Sequence, residues 1–270
     1  MGEQIADAME YAKGQVICFL DDDDLFMKEK LEYIYNAFLE NKNLVYVNNA
    51  RIYIDDKGNY LNKSTSKFEK REKDVIINDF SKKPVALLRI QQYADPWYNK
   101  SSIAIRKVTL KRFRNALYSL KSVDDLFCYF ISLISGDLLI FNQVLTKYRV
   151  HESTSNSIIN YESYKEALLK LESKDVVNII LRKTKAKIEK GLQKYFYIFS
   201  KDQEITYLFY AGNYRKKVLL DYLQIFPYII RAFPKSAILR GLQVAFYIVA
   251  PDRFRRFNYQ RTKSYIGNLQ

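Results

Sequence analysis

Val16-Ile17-Cys18-Phe19-Leu20-Asp21-Asp22-Asp23-Asp24 is the stretch on which the reading of this chain turns. Five apolar residues without interruption predict a strand covered on both faces, as in a parallel sheet. Four carboxylates follow at once. Neighbouring carboxylates repel and raise one another's pKa unless a cation or strong hydrogen bonds offset the charge. A hard divalent ion does this, and Mg2+ and Mn2+ bind through one or two carboxylates together with substrate phosphates. The competing reading is a solvated acidic turn whose charge favours the N-terminus of the following helix.

Working outward, residues 3–13 place Ile5, Met9, Tyr11 and Ala12 at helical spacing and stop at Gly14. Residues 28–41 set Leu31, Ile34, Tyr35 and Phe38 on one helix face, and residues 44–47 read as the next strand. Helix, strand, helix, strand predicts an α/β layer fold, in which ligands collect outside the carboxyl ends of the strands; the aspartates occupy such an end. Residues 51–54 and 60–61 read as a hairpin turning at Gly58, and residues 62–74 as a charged loop. Short strands are expected at 102–105, 138–141 and 145–150, with a helix over 123–133 ending near Gly136.

Beyond Ser157 the spacing is helical almost to the end, which divides the chain into residues 1–157 and an all-helical 158–270. Residues 161–197 suggest two amphipathic helices. Residues 218–233 and 236–250 are strongly apolar but interrupted by Asp221, Gln224, Arg231, Arg240 and Gln243, with breaks expected at Pro227, Pro234 and Pro251. That texture suits helices lying on a surface.

The 270 residues, 48% hydrophobic and 15% aromatic, can bury a sizeable core, and 8 Gly with 5 Pro argue against long flexible linkers. The net charge of +14 draws the chain toward polyanions, but its placement says more. From Ile205 to Gln270 eleven basic residues face two acidic ones, so nine of the fourteen net charges lie there. Basic residues concentrated in apolar helices suit an anionic membrane surface, or a solvated helical cap on the first region, and no nucleic acid is expected as partner. Cys18 and Cys128 sit among apolar neighbours and read as core residues of a reducing compartment. No basic segment leads into an apolar one at the start, and no stretch reaches the roughly 20 apolar residues of a spanning helix, so a cytoplasmic, peripherally attached protein is expected.

Residues 12–26, followed by Lys30-Leu31-Glu32, resemble the DxD segment of family 2 glycosyltransferases, which have the GT-A fold. The register places Asp21 and Asp23 on the DxD pair. The resemblance implies that Asp23 contacts a metal, Mn2+ or Mg2+, bridging the donor diphosphate, and that Asp21 faces the nucleotide ribose or metal waters. Val123-Asp124-Asp125-Leu126 resembles the acidic pair of that family, whose second member is the general base of inverting transfer. Asp125 is then the candidate base, with Asp124 beside it; alternatively both acids favour only a helix N-terminus. Tyr148-Arg149-Val150-His151 is similar to the family's Tyr-Arg-x-His segment, implying a donor contact at Arg149 and a metal or diphosphate contact at His151, the one histidine. Residues 95–107 resemble the acceptor-side loop and strand; Trp97 and Tyr98 can stack on a sugar there, or Trp97 can anchor the core.

The implied fold is therefore α/β: a partial, Rossmann-like GT-A mixed sheet with flanking helices, followed by an all-helical C-terminal region. The implied activity is transfer of a sugar from a nucleotide-sugar donor to a hydroxyl of a glycan, lipid-linked or protein acceptor. The likeness covers roughly residues 3–157 and lacks the strand, turn and acidic residue with which the family begins. An exposed sheet edge is expected in consequence, together with a partner chain supplying that portion. Asp124 stands where Glu is usual and Ile131 where an arginine is frequent. Two other readings compete: an inactive remnant or subunit held on a membrane or partner, and a metal-dependent nuclease.

Overall fold

The computed structural model describes residues 2–61, 71–79, 82–122, 124–150, 160–170, 175–183 and 187–267. Helix α1 (Gly2–Tyr11) leads into strand β1 (Val16–Cys18), the short β2 (Leu25–Phe26), helix α2 (Lys30–Glu40), and the long β3 (Leu44–Ile54). Then come β4 (Val75–Ile77), α3 (Pro84–Ala94), a single 3-10 turn (Lys100–Ser102), β5 (Ile103–Arg106), α4 (Lys107–Arg112), α5 (Arg114–Leu117), α6 (Asp124–Ser135) and β6 (Asp137–Arg149). Six helices follow: α7 (Tyr161–Lys170), α8 (Val176–Lys183), α9 (Lys190–Ala211), α10 (Arg215–Ala232), α11 (Pro234–Val249) and α12 (Pro251–Gly267).

The six strands form one mixed sheet in the order β1-β5-β3-β6-β2, with β4 also on β6. β3 and β6 are parallel, whereas β5 runs antiparallel to both β1 and β3. β1 thus points the same way as β3 and β6 without touching them, and the aspartates leave the sheet at the carboxyl end of all three. The expectation of a parallel strand covered on both faces is corrected here: β1 is an edge strand of three half-buried residues whose partner is antiparallel. Sequence could not reveal that β5 intervenes. Among the described residues no strand lies on the other edge of β1.

Alternation along the strands supplies both faces of the sheet. Ile34 and Phe38 of α2 pack with Leu44, Val47 and Ala104 on one face. Tyr46, Ile103, Ile105, Leu138 and Ile140 turn to the other, where they join α6 and the helical region in one continuous core. Phe130 of α6 lies at that junction, with ring centroids 5.0 Å from Phe196 and 4.8 Å from Phe199 of α9.

Several local expectations differ from what is found. The two strands expected at 138–141 and 145–150 are one strand, β6, whose register against β3 shifts between Asn49/Ala50 and Ala50/Arg51. Asn142 and Gln143 sit in that irregularity, which is why the apolar pattern looked broken. β4 directly follows the stretch read as a charged loop, and Val75-Ile76-Ile77 is too short to stand out. Residues 161–197 hold α7, α8 and the start of α9 instead of two helices. Pro234 and Pro251 open helices as expected, but α10 runs through Pro227. Pro227 is exposed, so the carbonyl its missing N–H leaves unbonded faces solvent. The hairpin after β3 is present, with an Ile54–Tyr60 bridge and Gly58 at φ 86°, a left-handed conformation that a side chain would strain.

One buried cation positions the end of the sheet. Lys30, the fully buried first residue of α2, hydrogen-bonds to the Ser101 carbonyl and, at 3.0 Å, to Thr146 Oγ1. Its Nζ also lies 4.0 Å from the centre of the Phe26 ring. Burial lowers its pKa to about 7, against the attraction of Cys18 and Asp24. α2, β2, β6 and the 3-10 turn are thereby held to one atom.

Two outcomes follow for stability. Phe130→Ala should cost about 3–5 kcal/mol in urea unfolding, because a fully buried ring joining sheet and helices leaves a cavity. Between pH 7 and 10 the unfolded chain holds a proton on Lys30 that the folded chain releases. Stability from this group should therefore rise with pH across that window, by at most about 1.4 kcal/mol per unit. Lys30→Met should flatten that dependence, read from denaturation midpoints over the pH series.

Candidate active site

The acidic segment leaves β1 and turns back on itself, Asp24 N–H meeting the Asp21 carbonyl at 3.3 Å. Asp21 N–H donates to Ser101 Oγ at 2.9 Å, which fixes the segment to the 3-10 turn preceding β5. Asp22 is exposed, Asp21 and Asp23 are half-buried, and Asp24 is buried. Burial raises the Asp24 pKa, opposed by hydrogen bonds from Ser101 and from the Arg149 backbone. The four carboxylates are thus unequal: Asp24 is structural and Asp21 and Asp23 face outward.

Arg149, at the end of β6, clasps this loop. Its backbone N–H donates to Asp24 Oδ1 at 2.9 Å and its Nε to the Asp23 carbonyl at 2.8 Å. Nη1 reaches the carbonyls of Asp55, at 2.6 Å, and Asp56, at 2.8 Å, in the turn after β3. The guanidinium expected to touch the donor therefore also holds the acidic loop against the Gly58 turn. His151 lies outside the described residues.

The second acidic pair opens α6 and lies beside the first. Lys100 Nζ stands 2.9 Å from Asp21 Oδ1 and 3.4 Å from Asp124 Oδ2, so one ammonium joins the tip of β1 to the start of α6. Burial works against that ammonium, but Asp124 and Asp21 outweigh it and raise its pKa. Asp125 is half-buried, with Oδ1 accepting the Leu126 N–H at 2.7 Å. Its pKa is raised to about 7, first by desolvation and then by Asp124 and Asp95, while the Leu126 N–H and Lys100 pull it down. A carboxyl poised near neutrality is suited to take a proton.

Between α3 and Lys100 runs the loop expected on the acceptor side. Asp95 and Asn99, at its two ends, have φ of 42° and 65°, left-handed values that Asp and Asn tolerate better than most residues. Asn99 Oδ1 accepts the Ser101 N–H at 2.7 Å, and burial raises Asp95 to about pKa 6 against the pull of Arg51 and Arg71. Within the loop Trp97 packs into the core seam, 5.4 Å from the Tyr129 ring and 5.8 Å from that of Phe199. Tyr98 lies over the buried Arg51, 4.3 Å from its guanidinium carbon, and meets Tyr148 edge-on. Of the two, Tyr98 is nearer the acidic loop, through Tyr148, the neighbour of Arg149.

Lys100, Lys30 and Asn99 were missed from sequence; all three lie inside segments already singled out, but a lone Lys or Asn in a loop carries no signal of its partners. Among the described residues no group of three His, Cys, Asp or Glu could hold a metal ion through protein ligands alone. A cleft of about 620 Å³ lined by Lys42, Arg106, Gly136 and Lys187 lies at the amino ends of β3 and β6, and no carboxylate of the cluster lines it. For ligand chemistry the carboxyl ends of the strands carry more weight.

No curated protein matches the chain. Residues 1–95 match the model of glycosyl transferase family 2. The match covers the acidic loop and ends at Asp95, so Lys100, Asp124, Asp125 and Arg149 lie beyond it and stand on the geometry. Residues 1–95, which carry the acid-tipped β1 of a mixed sheet flanked by helices, are thus similar to a family 2 glycosyltransferase domain.

Proposed function

We propose that the chain transfers a sugar from a nucleoside-diphosphate donor to an acceptor hydroxyl with inversion, and that Asp125 is the general base. The observation that carries this reading is the Lys100 bridge, which sets the candidate donor-side Asp21 and the acid pair of α6 on either side of one ammonium. Asp125 removes the acceptor hydroxyl proton as that oxygen attacks the anomeric carbon from the face opposite the diphosphate. The bond from the anomeric carbon to the diphosphate breaks, and the leaving group departs with the electron pair.

Asp21 and Asp23 offer hard oxygen donors on a half-exposed loop. That donor set fits Mn2+ or Mg2+ provided the diphosphate supplies further oxygens. When bound, the ion offsets the charge of the diphosphate leaving group. Asp23, the second acid of the DxD-like pair, is the principal protein ligand in this reading, and Asp21 stands beside it in its ion pair with Lys100. Arg149 positions the loop through the Asp23 carbonyl, and Tyr98 offers an aromatic face on the acceptor side. The acceptor is a glycan, lipid-linked or protein hydroxyl.

The test is release of nucleoside diphosphate from a panel of nucleotide sugars with Mn2+, in the presence and absence of acceptor hydroxyls. Asp125→Asn should lower turnover by about 10²–10⁴-fold while leaving nucleotide binding intact. Asp23→Ala should weaken Mn2+-dependent binding of UDP or GDP. Full turnover in Asp125→Asn would exclude Asp125 as the base.

The acid limb of the pH profile gives a second test. Asp125 acts when deprotonated, so kcat/KM should rise about tenfold per pH unit below 7 and level off above it. Lys100 lowers the Asp125 pKa, so Lys100→Met should move the midpoint to higher pH. An unmoved midpoint would show that the ammonium does not act on the base.

A further inference from the structure

α10 and α11 form an antiparallel pair whose inner seam is explicit. Tyr222 Oη donates to the Ala237 carbonyl at 2.8 Å, and a Cβ on Gly241 would meet the same hydroxyl at 2.8 Å. Tyr222, Ala237 and Gly241 therefore mark the contact line. One residue further along a helix turns about 100° about its axis, and in an antiparallel pair that turn carries both helices' next residues to the same side. Leu223, Ile238 and Leu242 occupy those positions.

All three are exposed, at 55%, 57% and 61%, and Leu220, Phe246 and Val249 extend the same face. The opposite side is engaged: Arg240 reaches Asp202 and Thr206 of α9, and Lys217 pairs with Glu204 and Asp221. A contiguous face of large aliphatic side chains is unusual on a protein surface unless something covers it. Exposed basic residues stand on the same two helices and on the next: Lys216 and Arg231 on α10, Lys235 on α11, and Arg253 and Arg256 in the first two turns of α12, which follows α11 after Ala250. No described helix is long and apolar enough to cross a membrane.

We propose that the outer face of α10 and α11 docks on an anionic lipid bilayer, its leucines and isoleucine entering the headgroup and acyl boundary while the surrounding Lys and Arg meet lipid phosphates. Charge decides between occupants. A second copy of this chain would bring like charges together around the apolar face, whereas anionic lipid complements them. The proposal uses no residue of the carboxylate site and stands apart from the transferase reading.

The experiment is co-sedimentation of the full chain with phosphatidylcholine vesicles, with and without phosphatidylglycerol, at low and high salt. Binding should require phosphatidylglycerol and weaken with salt. Leu223→Glu with Leu242→Glu should reduce it by about tenfold or more, as should Lys235→Glu with Arg256→Glu. All four positions are exposed, so circular dichroism and melting should be unchanged. Absence of binding to anionic vesicles at low salt would overturn the proposal, and so would binding indifferent to the leucine pair. Sedimentation showing a dimer that Leu223→Glu disrupts would overturn it in favour of a second copy.

Discussion

A single ammonium between two carboxylates governs the geometry of the acidic site. Asp21 belongs to the loop after β1 and Asp124 to the first turn of α6, about a hundred residues later, and the Lys100 side chain spans them. Without a cation there, two partly buried carboxylates would face each other uncompensated, a costly arrangement in a poorly solvated environment. Lys100 is itself placed by backbone constraint. It opens a 3-10 turn that Asn99 initiates from a left-handed conformation, and Lys30 holds the next carbonyl from beneath. The site is therefore organised from the sheet outward: a buried lysine fixes the turn, the turn presents a second lysine, and that lysine draws the two acidic elements together.

The same arrangement explains why two adjacent aspartates at the start of α6 are not equivalent. Asp124 has the ion pair, whereas the Asp125 carboxyl has the Leu126 N–H, a weaker attraction from Lys100 and two acidic neighbours, Asp124 and Asp95. Desolvation and like charge lift it toward neutrality. Asp95 in turn is held near pKa 6 despite Arg51 and Arg71, so the loop after α3 carries a second carboxyl raised toward neutrality.

How much of this the sequence disclosed depends on whether a feature announces itself locally. The acidic run stands out because four adjacent carboxylates repel one another, and the strand before it because five apolar residues are contiguous. Ile103-Ala104-Ile105 says strand but not that it inserts antiparallel between β1 and β3, since pairing partners are set by the whole sheet. Asn142 and Gln143 hid the continuity of β6 because an irregularity reads as a loop. Lys30 followed a helical pattern and was indistinguishable from a surface lysine, although it is fully buried. Trp97 admitted two readings, and its ring lies in the seam with Tyr129 and Phe199.

The C-terminal helices are joined to the site through α3. Arg89 of α3 donates to the Ala232 and Arg231 carbonyls at the end of α10, and Gln92 to Ser236 at the start of α11. One turn later α3 ends at Asp95, whose left-handed conformation begins the loop carrying Tyr98 and Lys100. The turn between α10 and α11 and the loop carrying Tyr98 are consequently attached to opposite ends of the same few residues. Trp97 closes the connection from the other side by packing on Phe199 of α9, against which Phe130 of α6 also packs. The helical region and the elements that carry the acidic site thus share one continuous core even though their surfaces differ in charge and in chemistry.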